Sequence, residues 1–351
     1  MRRDPLPRPA ALLPAVAMLL VFAAPLPATA QRADESADRN GRKSWAAVAL
    51  GRVEPRSREL RLGAATAGRI VEVLVRPNDT VTAGEILVRI EDTEARARVT
   101  MAEAQAGARE RARDDQSAPR GSGERRRAED ALVEAEQAAL AARDAFDAAT
   151  IERRRGGDGD EAAIARARQA LVQASERLRR AEAELARLRA TGDTPLPNRT
   201  EAEWIAARAE LALAEAGLEK TRLRAPIDGT VLQVAARRGE LGSPSAEAPL
   251  VVLGDLSGLR VRAELDERDI AQVRVGQAVV VRANAFQGRD FAGTVASIAQ
   301  TVGPGGMAAR GPRRQADIDV LEVVVDLADP GPLKVGMQVD VYFRQENAAP
   351  K

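Results

Sequence analysis

Two short segments of this chain resemble each other across a long stretch of helix-forming sequence. The first begins Ala67-Gly68-Arg69-Ile70 and closes at Ile90-Glu91-Asp92; the second begins Asp228-Gly229-Thr230-Val231 and closes at Leu253-Gly254-Asp255. Aligning Gly68 with Gly229 puts Ile70 on Val231, Val73 on Val234, Arg76 on Arg237 and, after a gap, Ile90 on Leu253. Each half holds strand-like apolar residues bounded by Gly or Pro turns. Neither half is long enough to bury a core alone, so the two must pair. Whatever lies between them must leave and come back, which makes the intervening helices a hairpin.

From Glu94 to Thr221 the sequence is rich in Ala, Glu, Arg and Leu, the strong helix formers. Three breaks interrupt it, at Ser117 to Gly123, Gly156 to Asp160 and Gly192 to Asn198. The outer two are placed symmetrically about the central glycine cluster, so a turn there brings them side by side. On the returning strand of the hairpin Ile164, Leu171, Leu178 and Leu185 recur every seven residues, with Ala167, Ala174, Ala181 and Leu188 at the other seam position. On the outgoing strand Ala128, Ala135, Ala142 and Ala149 repeat likewise, alongside Leu132, Ala139 and Phe146. Trp204, Leu211 and Leu218 continue the spacing near the base, where the seam is less regular because Arg109 and Arg113 fall in it. At ~1.5 Å rise per residue a straight arm of this kind reaches on the order of 80 Å.

The chain has no histidine and no cysteine. The commonest general base and metal ligand is therefore missing, as are thiol chemistry and disulfides. Neither a catalytic, a cofactor-binding nor a metal site is expected. The formal net charge is +1, acids and bases alternate along the helices, and no basic block joins aromatics, so nothing reads as a nucleic-acid surface. Residues 1–30 read as a secretory signal peptide: Arg2, Arg3 and Arg8 precede an apolar run from Ala10 to Ala24, and Ala28-Thr29-Ala30 fits a small-residue cleavage site. The run is shorter than the roughly 20 residues of a spanning helix, although an uncleaved inner-membrane anchor is the alternative. Residues 31–46 read as a disordered leader.

Beyond the second half, Leu259 to Leu265 alternates as a strand, Asp266 to Val273 reads as a short helix, and further strands follow at Gln277 to Ala283, Phe291 to Ile298, Leu321 to Leu327 and Val339 to Phe343. Gly303 to Gln315 reads as a loop. Short strands at this spacing suggest a small β-barrel, joined from the N-terminal side by strands within 47–65.

Residues 66–93 and 222–256 together resemble a biotinyl/lipoyl-type flattened β-sandwich. In carriers of that fold a lysine in the turn between the halves bears the prosthetic group. Here the turn is replaced by helices, no lysine occurs between Lys43 and Lys220, and Lys220 lies in helical sequence. No prosthetic group is expected. The order of half-lipoyl, α-hairpin (94–221, tip 156–160), half-lipoyl and β-barrel (257–345, with a tail at 346–351) resembles the HlyD-type membrane fusion proteins, also called periplasmic adaptor subunits. The matching residues are Ala67 to Ile70, Val75-Arg76-Pro77-Asn78-Asp79-Thr80-Val81, Gly84-Glu85-Ile86-Leu87, Leu223-Arg224-Ala225-Pro226-Ile227-Asp228-Gly229-Thr230-Val231 and Leu265-Asp266-Glu267-Arg268-Asp269-Ile270. Asp319 to Leu327 followed by Val335-Gly336-Met337 looks most like the DevB branch of ABC exporter adaptors.

The resemblance implies an α+β chain: a split lipoyl-like sandwich, an inserted long antiparallel coiled-coil hairpin and a following barrel. It also implies a non-enzymatic periplasmic adaptor that assembles as a homo-oligomer, a hexamer by analogy with the family. Its partners would be an inner-membrane transporter, of ABC type or alternatively of RND type, and an outer-membrane TolC-like channel. Many relatives that dock such a channel carry Arg, Leu four residues on and Ser seven further around the tip. That spacing is absent near residues 143 to 165, where Arg153, Arg154 and Arg155 are followed by Asp158, Asp160 and Glu161. These six are the candidate partner-docking residues, expected at the far end of the arm. A biotinyl or lipoyl carrier and an exported structural coiled coil are the other readings.

Overall fold

The computed structural model describes residues 45–116, 122–156, 161–190, 196–244, 248–304 and 319–345 of the chain. Residues 1–44, where a signal peptide and leader are expected, most of the 303–315 segment and residues 346–351 lie outside them, as do Asp158 and Asp160. The chain enters through a long strand, β1 (Trp45–Pro55), and then builds a two-sheet sandwich. Its strands are β2 (Leu60–Leu62), β3 (Gly68–Val73), β4 (Thr80–Val81), β5 (Ile86–Ile90), β6 (Arg222–Arg224), β7 (Gly229–Val234), β8 (Leu241–Gly242) and β9 (Val251–Gly254). One sheet has the order β2-β9-β7-β4 and the other β6-β5-β3-β8.

The sheets are images of each other under exchange of the two sequence halves, and each takes its last strand from the other half. Val81 of β4 pairs with Gly229 of β7, while Gly242 of β8 pairs with Gly68 of β3. The repeated glycines sit at equivalent places in this swap. A side chain at Gly229 would put its Cβ 2.9 Å from the Gly254 carbonyl oxygen, so only glycine permits the approach. Ile70, Val81, Leu87, Val88, Val231, Val251 and Leu253 are buried together at the centre. Because each half completes the other's sheet, the halves form one domain.

Between β5 and β6 come four helices: α1 (Thr93–Asp114), α2 (Gly123–Arg154), α3 (Glu161–Ala190) and α4 (Arg199–Glu219). α1 packs on α4 through Ala102, Ala106, Ala207 and Leu211. α2 packs on α3 along the expected seam: Ile164, Ala174 and Leu185 are buried, and Ala167, Leu171, Leu178, Ala181 and Leu188 are partly covered. The insertion is thus helical and antiparallel, with the seams the heptads specify. Its length differs from the straight-arm expectation. The α2–α3 pair lies back along the α1–α4 pair instead of continuing it, with Asp130 on Arg113 and Glu136 on Arg208. Thr200 Oγ1 at the start of α4 is 2.9 Å from Gln116 Oε1 just beyond α1, which places both breaks at one level. α2, at 32 residues, is longer than the 22 of α1, so its end overhangs the base by about 15 Å and meets the sandwich.

The barrel follows the sandwich, with β10 (Leu259–Asp266), β11 (Ala278–Arg282), β12 (Asp290–Pro304), β13 (Asp319–Leu327) and β14 (Gln338–Arg344). It closes in the order β1-β10-β13-β12-β11-β14, with β14 returning to β1. Burial alternates strictly along β10, as a strand with one face on a core requires. Val53, Val261, Leu265, Val281, Val323, Val325, Val341 and Phe343 fill the interior. One boundary is corrected. Only β1 of the 47–65 segment joins the barrel, because β2 pairs with β9 and belongs to the sandwich. The Asp266 side chain caps a short 3-10 helix, Glu267–Gln272, within the segment expected to be helical. No helix among the described residues is long and apolar enough to cross a membrane.

Candidate functional site

Three arginines end α2, and each finds a carboxylate on the first half of the sandwich. Arg154 Nε donates to Glu85 Oε1 at 2.8 Å, and Arg153 Nη2 reaches both Glu85 oxygens at 3.2 and 3.3 Å. Arg154 also donates to the Thr80 carbonyl at 2.5 Å and lies 3.1 Å from Asp79 Oδ2. Arg155 holds Glu72 in a fork, with Nη2 at 2.8 and 2.9 Å from its two oxygens. Glu85 is 0% exposed and takes a further hydrogen bond from the Thr82 amide at 3.0 Å. Such bidentate pairs are the geometrically specific form of ionic contact.

The seat continues around the base of the arm. Arg224 of β6 donates to both oxygens of Asp147 on α2, at 2.5 and 2.8 Å, to the Gly84 carbonyl at 2.8 Å and to Glu219. Burial works against its charge, but Asp147 and Glu219 outweigh it and raise the guanidinium pKa above its ordinary value. Phe146, fully buried, stands over Gly84. Arg168 of α3 reaches Asp228 at 3.0 Å. The amide of Ala83, with Arg168 adding to it, holds the Asp228 carboxyl below the ordinary carboxylate range.

Further out, charge also joins the two helical pairs. Glu136 meets Arg208, and Arg143 lies 3.1 Å from Glu219. At the far level, Glu201 is fully buried, closes a capping box with Asn198, and accepts from Arg125 at 2.8 Å and Arg126 at 2.9 Å. Arg113 reaches Asp130 at 2.8 Å and stacks 4.1 Å over the Trp204 ring. Arg109 pairs with Glu203 at 2.7 Å. The two arginines that disturbed the inner seam are thus contacts to α2 and α4. Between the pairs lies a half-open cleft lined by Leu140, Leu171, Leu178, Leu211 and charged side chains including Arg143 and Arg208.

Of the expected docking residues, Arg153, Arg154 and Arg155 lie at the foot of the arm, against the sandwich, not at its far end. The course of α2 back along α1, with Asp130 on Arg113, and the greater length of α2 cause this. Glu161 opens α3 and is exposed. Asp158 and Asp160 lie outside the described residues. The acceptors Glu72, Asp79 and Glu85 escaped the sequence reading. No local spacing points to them; the one signal of the return is that α2 carries charges at a second seven-residue spacing, Glu129, Glu136 and Arg143, of which Glu136 meets Arg208 of α4. Lys220 caps the end of α4 in ordinary helical geometry.

Comparison with known proteins agrees with this architecture. Residues 259–342 match the YknX-like β-barrel domain. The chain is 28% identical over 284 residues to protein CyaD of Bordetella pertussis, covering 68% of this chain and 62% of that protein. It therefore spans less than two thirds of that relative's length. It is 29% identical over 294 residues to multidrug resistance protein MdtN of Escherichia coli O6:H1, covering 77% and 81% of the two chains. Among solved structures, MacA from Actinobacillus actinomycetemcomitans shares the fold, with a TM-score of 0.52 at 18% identity over 85% of this chain and 78% of that one. A YknX-like barrel following a split sandwich with helices inserted between its halves, together with these relatives, makes the chain similar to the HlyD-type membrane fusion proteins.

Proposed function

We propose that the chain is a periplasmic adaptor of a tripartite export system, joining an inner-membrane transporter to an outer-membrane exit duct. One observation carries the reading. The split sandwich is a hub from which the barrel and the helical arm leave by separate pairs of connections. The barrel is tied to it where the Arg56 amide meets the Asp255 and Gly258 carbonyls at 3.2 and 3.0 Å. The arm enters and leaves through the paired strands β5 and β6. A force or tilt applied to the barrel is therefore delivered to the arm without any bond chemistry. The name of MdtN as a multidrug resistance protein, and of PvdR from Pseudomonas putida as a pyoverdine export membrane fusion protein, 30% identical over 141 residues, support a role in export.

The transporter is proposed to be of ABC type, with several copies of the chain, six by analogy with the family, forming the conduit. Signal-directed passage to the periplasm belongs to the same reading. The barrel end away from the sandwich faces the transporter; there Val275 is 64% exposed. A photo-cross-linker at Val275 in intact envelopes is expected to capture an inner-membrane transporter, and an ATPase partner in the captured complex identifies the ABC class. Capture of no membrane transporter overturns the adaptor reading. Mass spectrometry of the native protein addresses the carrier alternative: an acylated Lys220 would replace this proposal.

A further inference from the structure

We infer that the arm is a jackknife: the α2–α3 pair is latched against the sandwich by Arg153, Arg154 and Arg155, and swings out to present these arginines to an acidic surface on a partner. The partner clause rests on the adaptor reading; the opening itself does not.

Three observations carry it. First, each helical pair has its own apolar seam, so separating the pairs leaves both seams assembled, and Phe146 over Gly84 is the buried apolar contact that the swing gives up. Ile164, Ala174 and Leu185 stay with α2, and Ala102, Ala106 and Leu211 stay within α1–α4. Second, what joins the pairs is ionic: Arg113 with Asp130, Arg125 and Arg126 with Glu201, Glu136 with Arg208, Arg143 with Glu219. A buried ion pair contributes little net stability against its hydrated parts, and its best-attested use is as a register or switch element. An open cleft between the pairs shows that they meet through long side chains and not through close packing. Third, Glu85 is wholly buried, and its charge is met by Arg153 and Arg154. A buried carboxylate whose ion-pair partners among the described residues sit on an arm with its own seams is a seat.

The seat also describes what could replace it. Glu72, Asp79 and Glu85 present carboxylates to three successive guanidiniums at the end of one helix. A partner that receives the swung-out tip must offer carboxylates in its turn, since leaving the arginines without acceptors would give up the specific bidentate contacts. The latch thus keeps the tip from engaging until a competing acidic surface is present.

Because the chain lacks cysteine, two can be introduced for spin labels. Glu152 near the end of α2 and Arg238 in the β7–β8 turn are both exposed. With Glu152→Cys and Arg238→Cys in the full mature chain, pulsed dipolar spectroscopy is expected to give a separation under about 40 Å, against on the order of 75 Å for a swung-out arm. Reversing the latch by Arg153→Glu, Arg154→Glu and Arg155→Glu is expected to transfer most of the population to the long distance, from a minor state of about one molecule in ten or fewer. A second variant, Glu72→Gln with Asp79→Asn, leaves the helices untouched and is expected to shift the population the same way to a smaller extent. Short poly-L-glutamate added to the unreversed protein is expected to lengthen the distance, whereas neutral dextran leaves it unchanged. Helix content by circular dichroism confirms that the variants remain folded. A distance that stays short in both variants overturns the jackknife. A long distance in the variants with no response to poly-L-glutamate overturns the acidic-partner clause alone. Failure to capture a transporter from the barrel would overturn the adaptor reading while leaving the opening intact.

Discussion

Glu201 and Glu129 sit side by side at the far level of the arm and have opposite electrostatic fates. Glu201 is buried, which by itself pushes its carboxyl pKa up; the Asn198 amide, Arg126 and Arg125 more than offset this and hold it below the ordinary value of about 4.5. Its contribution to stability is present above that value and is lost as pH falls through the depressed folded pKa. Replacing it by alanine removes its half of the capping box and the buried acceptor that Arg125 and Arg126 share, so Glu201→Ala is expected to cost about 3–5 kcal/mol in urea unfolding at pH 7. Glu129 is different. Burial raises its pKa, against the pull of Arg125 and Arg189, with Glu201 adding to the rise and Arg113 opposing it. Neither Glu129 oxygen has a hydrogen-bond donor among the described residues. The unfolded chain ionises first as pH rises past about 4.5, so the folded state loses stability across the window up to its raised pKa. Glu129→Gln is expected to remove that decline and to raise stability at pH 7; a loss of stability at pH 7 would show the charge to be favourable where it stands.

At the scale of elements, glycines separate what the fold needs from what it tolerates. Gly229→Ala drives a Cβ into the Gly254 carbonyl, backbone against backbone, and is expected to destabilise by about 1–3 kcal/mol. Gly107 lies within α1 with nothing within 4 Å of an added Cβ, so Gly107→Ala is expected to stabilise by about 0.5–1 kcal/mol. Thermal unfolding of the two variants checks both signs. The same scale shows how much of the molecule its sequence discloses. The duplicated strands, the alternation in β10 and the heptads of α2 and α3 all lie where a periodicity of two or of seven puts them. The swap of β4 and β8 between sheets is not readable, because strands of two residues carry no period. The return of α2 and α3 along α1 and α4 is hidden for another reason. A Gly- or Pro-containing break reads alike whether the helix resumes its course or turns back, and only the long-range pairs Arg154–Glu85 and Arg155–Glu72 decide between them. Those pairs join residues with no local relation in sequence. The mismatch between the 32 residues of α2 and the 22 of α1 was visible, and it is what the fold uses to bring the arginines onto the sandwich.

For the whole molecule, the interlocked sandwich is the fixed part and the arm is the part with two lengths. A straight arm is the form that can bridge a wide gap, and the doubled-back arm is the form that stores it with its arginines occupied. The ionic character of the contact between the helical pairs makes the folded form sensitive to salt at its exposed pairs, such as Arg168 with Asp228, and less so at buried Glu85. Small-angle X-ray scattering of the monomeric mature protein at moderate ionic strength decides which form the free chain adopts. The folded-back arm gives a longest dimension shorter, by on the order of 45 Å, than a straight arm on the same sandwich and barrel. A pair-distance distribution with the long tail of a straight rod would contradict the doubled-back arrangement and, with it, the seating of Arg153, Arg154 and Arg155 on the sandwich.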